Sequence, residues 1–314
     1  MKVGDKIIYK FVLNFQFSPF NFKLKKILFF GGKNIMENFE IKDLQNKVVV
    51  ITGAGGVICG GLAHAIAKNG AKVALLDLNL AAAQKVADEI VAEGGIAKAY
   101  ACNVLDKASI EEARKGVNEG LGTVDILING AGGNNPRATT VNEFASYESV
   151  EGDFFSLDQK GVEFVFGLNF TGTFLPTQVF AKDMIGKEGC SILNISSMNA
   201  FTPLTKIPAY SAAKAAISNF TQWLAVHFAK VGIRVNAIAP GFFVSAQNQK
   251  LLFNDDGTPT ARSHKILNAT PMGRFGDFKE LAPATLLLIS PSSASFITGV
   301  VLPIDGGFSA YSGV

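Results

Sequence analysis

Tyr210 and Lys214 stand four residues apart in the run "YSAAK", a spacing that puts both side chains on one face of a helix. A phenol and an ammonium so placed can move a proton. A tyrosine with its ordinary pKa of about 10 is a poor base at neutral pH, and a neighbouring cation favours the phenolate. Ser197 comes thirteen residues before Tyr210, and its hydroxyl could fix a substrate oxygen and stabilise negative charge developing there. Asn169 lies further back, in "LNFTGTF". These groups suit a proton transfer to or from a substrate oxygen. Each also has a plain reading: Tyr210 as an interface aromatic, Lys214 as a solvated helix residue, Ser197 as a turn residue, Asn169 as a buried amide that satisfies backbone.

Positioning them requires a scaffold, and the chain supplies a regular one. From Lys47 onward short apolar runs ("KVVVIT", "KVALLD", "AKAYACNV", "VDILIN", "CSILNIS", "IRVNAIAP", "GVVLPID") alternate with helical stretches, among them Gly60–Asn69, Leu80–Glu93, Ala209–Lys230 and Glu280–Ile289. Nearly continuous apolar strands separated by helical crossovers predict a single α/β domain, a Rossmann-type doubly wound parallel sheet of seven strands with helices on both faces.

The first strand runs into "TGAGGVICGG", a glycine-rich turn before a helix, where backbone N–H groups and a helix N-terminus can hold a pyrophosphate. Asp77, 24 residues past Gly53 at the end of the second strand, can accept hydrogen bonds from the adenosine ribose. A carboxylate there repels a 2′-phosphate, so NAD(H) is expected rather than NADP(H). The plain alternative for Asp77 is a helix N-cap.

With these residues in place the chain resembles the short-chain dehydrogenase/reductase family from about Asn46 to its end: "TGAGG", "NGAG" at Asn129–Gly132, Asn169, Ser197, Tyr210 and Lys214 in order, "PGFF" from Pro240, and "DGG" at Asp305. The family loop is Thr-Gly-x-x-x-Gly-x-Gly, and here Val57 and Cys59 occupy the second and third glycine places. Gly55, Gly56 and Gly60 are expected to take over close backbone approach and helix packing from shifted positions. The resemblance implies an NAD-dependent enzyme acting on CH–OH groups, with Asn169, Ser197, Tyr210 and Lys214 catalytic. In it Asn169 holds a water that links Lys214 to solvent. It further implies cofactor contacts from Gly53, Gly55, Gly56, Ile58, Asp77, Asn103, Val104, Asn129, Ala131, Gly132, Tyr210, Lys214, Pro240, Gly241, Phe243 and Ser245, and assembly as a homotetramer.

Two segments vary within such a scaffold. The one between Asn129 and Asn169 offers Asn135 and Arg137 at the substrate rim, and a guanidinium suits a carboxylate, although Arg137 could equally cap a surface loop. The other, near 242–276, resembles a substrate lid and carries Gln247. With Ser197, and with Asn248, Gln249 and Arg262 beside Gln247 in the second segment, these point to a hydroxylated, anionic small molecule. The segments and the ending "VLPIDGGFSAYSGV" resemble the branch of the family that interconverts D-fructuronate and D-mannonate. A gluconate 5-dehydrogenase or a 3-oxoacyl carrier-protein reductase would keep the class and change the substrate. A dinucleotide-sensing regulator would have no reason to keep the tetrad.

Composition bounds the remainder. The 314 residues are 48% hydrophobic and 18% charged with a net charge of +3, which signals no nucleic-acid partner. Three scattered cysteines and three scattered histidines predict a reducing, cytoplasmic setting and no metal site. Residues 1–35, rich in Lys, Phe and Asn, read as a dispensable extension or start-site artefact before a domain at 36–314. No run is apolar enough for a membrane span, and a membrane-surface arm is the alternative for the extension.

Overall fold

The computed structural model describes residues 42–147, 151–244 and 248–313, so the 1–35 extension, Ser245 and Gln247 lie outside the described residues. The strands are β1 (Val48–Thr52), β2 (Lys72–Asp77), β3 (Ile96–Ala101), β4 (Ile126–Asn129), β5 (Cys190–Ile195), β6 (Ile233–Pro240) and β7 (Val301–Ile304). They form one parallel sheet in the order β3-β2-β1-β4-β5-β6-β7, with Val49 beside both Val73 and Ile126. The order reverses between β1 and β4, and ligands of open α/β sheets sit outside the strand ends at such a switch point.

The helices follow from where apolar side chains must go. Alternate residues of β1 face opposite layers. Val49 and Ile51 pack with Leu75 against α1 (Val57–Lys68), α2 (Leu80–Ala92) and α9 (Leu281–Ile289). Val50 packs with Leu76 and Leu127 against α3 (Lys107–Gly120), α5 (Gly172–Phe180) and α6 (Pro208–Phe228). Both faces are therefore covered, which is why all five residues of β1 and all six of β5 are buried and apolar runs outnumber alternating ones. Each fully buried Leu or Ile in these layers contributes about 1.5–3 kcal/mol.

Three boundaries differ from the sequence reading. The first helix begins at Val57 rather than Gly60, because Gly56 is already the extended N-cap and Val57 needs no glycine conformation. The long helix ends at Phe228, and Ala229–Val231 tighten into a 3-10 turn before Gly232 enters the left-handed region. The last long helix starts at Leu281, after a capping box between Asp277 and Glu280. The inserted segment contributes α4 (Gln159–Phe166), and the stretch after β6 contributes α7 (Gln249–Leu252) and α8 (Ala261–Asn268).

Candidate active site

The carboxyl ends of the strands open onto a cleft of about 790 Å³. Its floor is the glycine turn. Gly53 holds a left-handed φ of +67°, and a Cβ there would come 2.9 Å from the backbone of Ala131. A Cβ on Gly55 would meet Cβ of Ala82 in α2 at 2.7 Å. Gly56 caps α1 with no side-chain acceptor of its own, which leaves the first turn facing the cleft. Cys59, in the family's third glycine place, is buried with its sulfur against Gly130, and a Cβ on Gly60 would stand 3.4 Å from Val86 of α2. Of the shifted glycines, Gly55 is the one whose close approach to α2 excludes a Cβ, while Gly60 has room for one.

Asp77 ends β2 at the same cleft. One carboxylate oxygen accepts the Gly55 N–H at 2.9 Å and the other the Asn79 N–H at 2.8 Å. The N-cap of α2 is Asn79, which accepts from Ala82 N–H, so Asp77 is not consumed as a cap. Thr52 ties the two central loops together: its hydroxyl oxygen accepts the N–H groups of Gly130 and Ala131 at 3.1 and 3.2 Å.

Ile58, Asn103, Val104, Ala131, Gly132, Gly241 and Phe243 all line the cleft with the glycines and Asp77. Asn129 and Pro240 do not. Asn129 is buried below it, donating to Thr177 Oγ1 and Asn194 Oδ1, both at 2.9 Å, and Pro240 closes β6 beside Ile304. Leu78, Leu105, Phe164 and Phe278 line the cleft too. Sequence reasoning passed over them, although Leu78 and Leu105 each follow close behind a strand end, where an apolar residue has no core to join.

Tyr210 and Lys214 project from the first turns of α6. The Lys214 amine lies 5.6 Å from the centre of the Tyr210 ring and donates to the Ile195 carbonyl at 2.8 Å. The Ser196 hydroxyl anchors this turn by donating to the Lys214 carbonyl at 3.1 Å. Ser197 is extended and caps the short turn Met198–Ala200, its hydroxyl accepting Asn199 N–H at 3.2 Å. Asn169 sits in a π-helical turn, Gly167–Thr171, between α4 and α5. Its amide donates to Gly133 and Val165 carbonyls at 2.7 and 2.8 Å, and its oxygen accepts Gly133 N–H at 3.2 Å. Both amide protons are taken by backbone, so any hold on a water would be through an acceptor oxygen. Gly132 is the meeting point: a Cβ there would stand 2.7 Å from Asn169 Oδ1 and 3.2 Å from Lys214 Nζ.

Electrostatics differ from the sequence argument. Burial pushes the Tyr210 phenol up, and only a hydrogen-bonding contact with Ser197 pulls it back. Burial likewise brings the Lys214 amine down to about 8. Removal from water is the largest influence on both, with Lys214 buried and Tyr210 partly buried. Cys59, beside them, is pushed up to about 12 by burial and stays a thiol.

The rim is arranged otherwise than the residue types suggested. The Arg137 guanidinium lies 2.9 Å from Asp158, half exposed, and is not among the cleft residues. Asn135 caps the turn Pro136–Ala138 by accepting Arg137 N–H at 2.9 Å.

None of Asn169, Ser197, Tyr210 and Lys214 lines the cleft itself, but Asn169 and Lys214 meet its wall at Gly132. A nucleotide-sized cleft cradled by glycines at the switch point, with an amine and its neighbouring phenol behind one wall, is the scaffold of a dinucleotide-dependent dehydrogenase. The short chain dehydrogenase family model matches residues 47–256, two thirds of the chain, and the protein belongs to that family. It is similar to an uncharacterised oxidoreductase of Haemophilus influenzae, 64% identical over 274 residues that cover 87% of this chain and 96% of the relative. The uncharacterised oxidoreductase UxuB of Bacillus subtilis (strain 168) is 51% identical over 87% of this chain and 98% of its own. Among solved structures, a Haemophilus influenzae protein to which D-mannonate oxidoreductase activity is ascribed, crystallised with bound NAD, is 63% identical. It aligns with a TM-score of 0.85 over 88% of this chain and all of that one.

Proposed function

We propose that this chain is an NAD(H)-dependent oxidoreductase that interconverts D-mannonate and D-fructuronate. The observation that carries the enzyme class is the convergence of Asn169 and Lys214 on Gly132, with the Tyr210 ring 5.6 Å from the Lys214 amine, beside a cleft whose floor excludes a Cβ at Gly53 and Gly55. The cleft suits NAD: the unpaired first turn of α1 faces it, and Asp77 offers a carboxylate where a ribose diol can donate. The sugar-acid substrate rests on the likeness to the Haemophilus influenzae protein.

When bound, NAD supplies a hydride acceptor or donor at nicotinamide C4. The protein supplies everything else. In reduction Tyr210 donates its proton to the carbonyl oxygen as the hydride reaches the carbon, and burial keeps the phenol protonated and ready. Ser197 donates to the same oxygen and stabilises its developing charge. Lys214, fixed by the Ile195 carbonyl, orients the nicotinamide ribose and, while protonated, stabilises the phenolate left when Tyr210 gives up its proton. Asn169 holds the Gly133 backbone in the wall of the site. In oxidation the carbinol proton passes to the Tyr210 phenolate and the hydride leaves the carbon. Assembly as a homotetramer in the cytoplasm belongs to the same proposal, and the exposed Phe174, Trp223 and Val226 of α5 and α6 supply an apolar face for it.

The test is NADH oxidation by the purified protein against D-fructuronate, 5-ketogluconate, other keto-aldonates and an acyl thioester. Turnover of fructuronate above the others is expected; turnover of 5-ketogluconate or a thioester with none of fructuronate rejects the substrate. Tyr210→Phe should lower turnover by about 10²–10⁴-fold and leave NADH binding intact. A variant with near-normal turnover would overturn the acid/base role.

A further inference from the structure

The sugar acid assigned above carries a carboxylate at the far end of its carbon chain from the reacting carbon, and the described walls of the dinucleotide cleft offer nothing to hold it. Asp77 is the only charged residue among them, and it repels an anion. Arg137 is tied to Asp158. A cavity that borders Phe242 and Thr270 contains Arg274, but that guanidinium is paired with both oxygens of Glu280 at 2.8 and 2.6 Å.

A third cavity, of about 360 Å³, is different. It lies between the loop that joins Ser197 to Tyr210 and helix α8, and Phe242 forms a wall common to it and the dinucleotide cleft. Its size is that of a small-molecule site. Lys206, Arg262 and Lys265 line it against a single carboxylate, Glu143. Lys265 is bound to Glu143 at 2.8 Å, whereas Lys206 and Arg262 make no ion pair among the described residues. Two positive charges are thus left over in one small cavity. Lys206 is also held in an unusual backbone state: its φ is +72°, and its carbonyl accepts Thr140 N–H at 2.8 Å from the inserted segment. Non-glycine residues persist in that region only where their surroundings fix them, and such positions cluster at ligand clamps.

We propose that Lys206 and Arg262 form the carboxylate-recognition subsite for the sugar-acid substrate, reading the end of the molecule opposite the carbon that exchanges hydride. The assignment rests on the dehydrogenase reading above and adds the residues that discriminate an acid from the corresponding neutral sugar. Arg262 reaches in from α8 and Lys206 from the catalytic loop, so the anion joins the segment after β6 to the wall that carries Ser197.

Two variants test it: Arg262→Gln, and Lys206→Asn, chosen because Asn tolerates a left-handed backbone. Loss of either charge should raise KM for D-fructuronate about tenfold or more, leave the dissociation constant for NADH within about twofold, and narrow the preference for D-fructuronate over its neutral analogue D-fructose. Arg262→Lys, which keeps the charge, should recover part of the loss. Calorimetric titration of the enzyme with NAD present, using D-mannonate and then D-mannitol, reads binding without turnover. Binding of D-mannonate that is lost in the double variant supports the subsite even if no sugar acid is turned over, an outcome that sinks only the catalytic reading. D-mannonate binding equally to wild type and double variant, or failing to bind the wild type, overturns the subsite; so does a KM change of equal size for D-fructuronate and D-fructose.

Discussion

Replacement of Asp77 by Asn is the sharpest probe of the cofactor. The asparagine oxygen can still accept one of the two N–H groups that Asp77 holds, from Gly55 at 2.9 Å or Asn79 at 2.8 Å, so the loop keeps part of its brace while the charge goes. Hydrogen bonds to charged groups contribute roughly 1.5–3 kcal/mol and neutral ones roughly 0.5–1.5, so NADH should lose about 1–2 kcal/mol. That is about 5- to 30-fold in dissociation constant. Asp77 sits at an open cleft, so its repulsion of a 2′-phosphate at about 4 Å lies near the aqueous limit of about 1 kcal/mol, and NADPH should gain about that much. The preference for NADH over NADPH should therefore narrow by about 2–3 kcal/mol, roughly 30- to 150-fold. Quenching of protein fluorescence by each nucleotide measures both constants. A ratio that moves by less than about threefold refutes the role given to this carboxylate, because no other charged residue lines the cleft among those described.

Further outcomes follow from the same geometry. Lys214 loses its proton at about 8 in the fold against an ordinary 10.5, so between those values the unfolded chain binds the extra proton and stability rises with pH. Lys214→Met lacks this dependence, so any advantage in melting temperature it shows over wild type at pH 7 should shrink by pH 10; a constant difference would show that the amine is not buried as a charge. Gly132→Ala places a methyl 2.7 Å from Asn169 Oδ1 and 3.2 Å from Lys214 Nζ, and should cost about 1–3 kcal/mol in denaturant unfolding together with most of the turnover. Cys59→Gly restores the family's glycine but empties buried space beside Gly130 and weakens α1, so it should destabilise by about 1–2 kcal/mol with no gain in NADH affinity. Tighter NADH binding by that variant would mean the loop is compromised as it stands.

The sheet was legible because strands buried on both faces leave unbroken apolar runs, and "VVVIT" and "CSILNI" are both of that kind. The pairing of Tyr210 with Lys214 was legible for a similar reason, since helical spacing is local. What involved distant parts of the chain was not. The Arg137 side chain finds Asp158 across a loop, and no periodicity announces that meeting. The engagement of Asn169 depends on a π turn that brings Gly133 within reach, which helical spacing does not foresee. The pKa directions at Tyr210 and Lys214 escaped because burial, which only the folded layers set, is the largest influence on both. Lys206 and Arg262 are far apart in sequence and share a cavity only once α8 has folded back over the loop after β5.

The hydroxyl of Thr52 clasps the backbone that follows β4, so the two lips of the nucleotide slot are tied together before any ligand arrives. Little ordering entropy is then left for capture of the coenzyme, and its association should be a single concentration-proportional phase in stopped flow. A slower, saturating phase during turnover would belong to the sugar and the elements that enclose it.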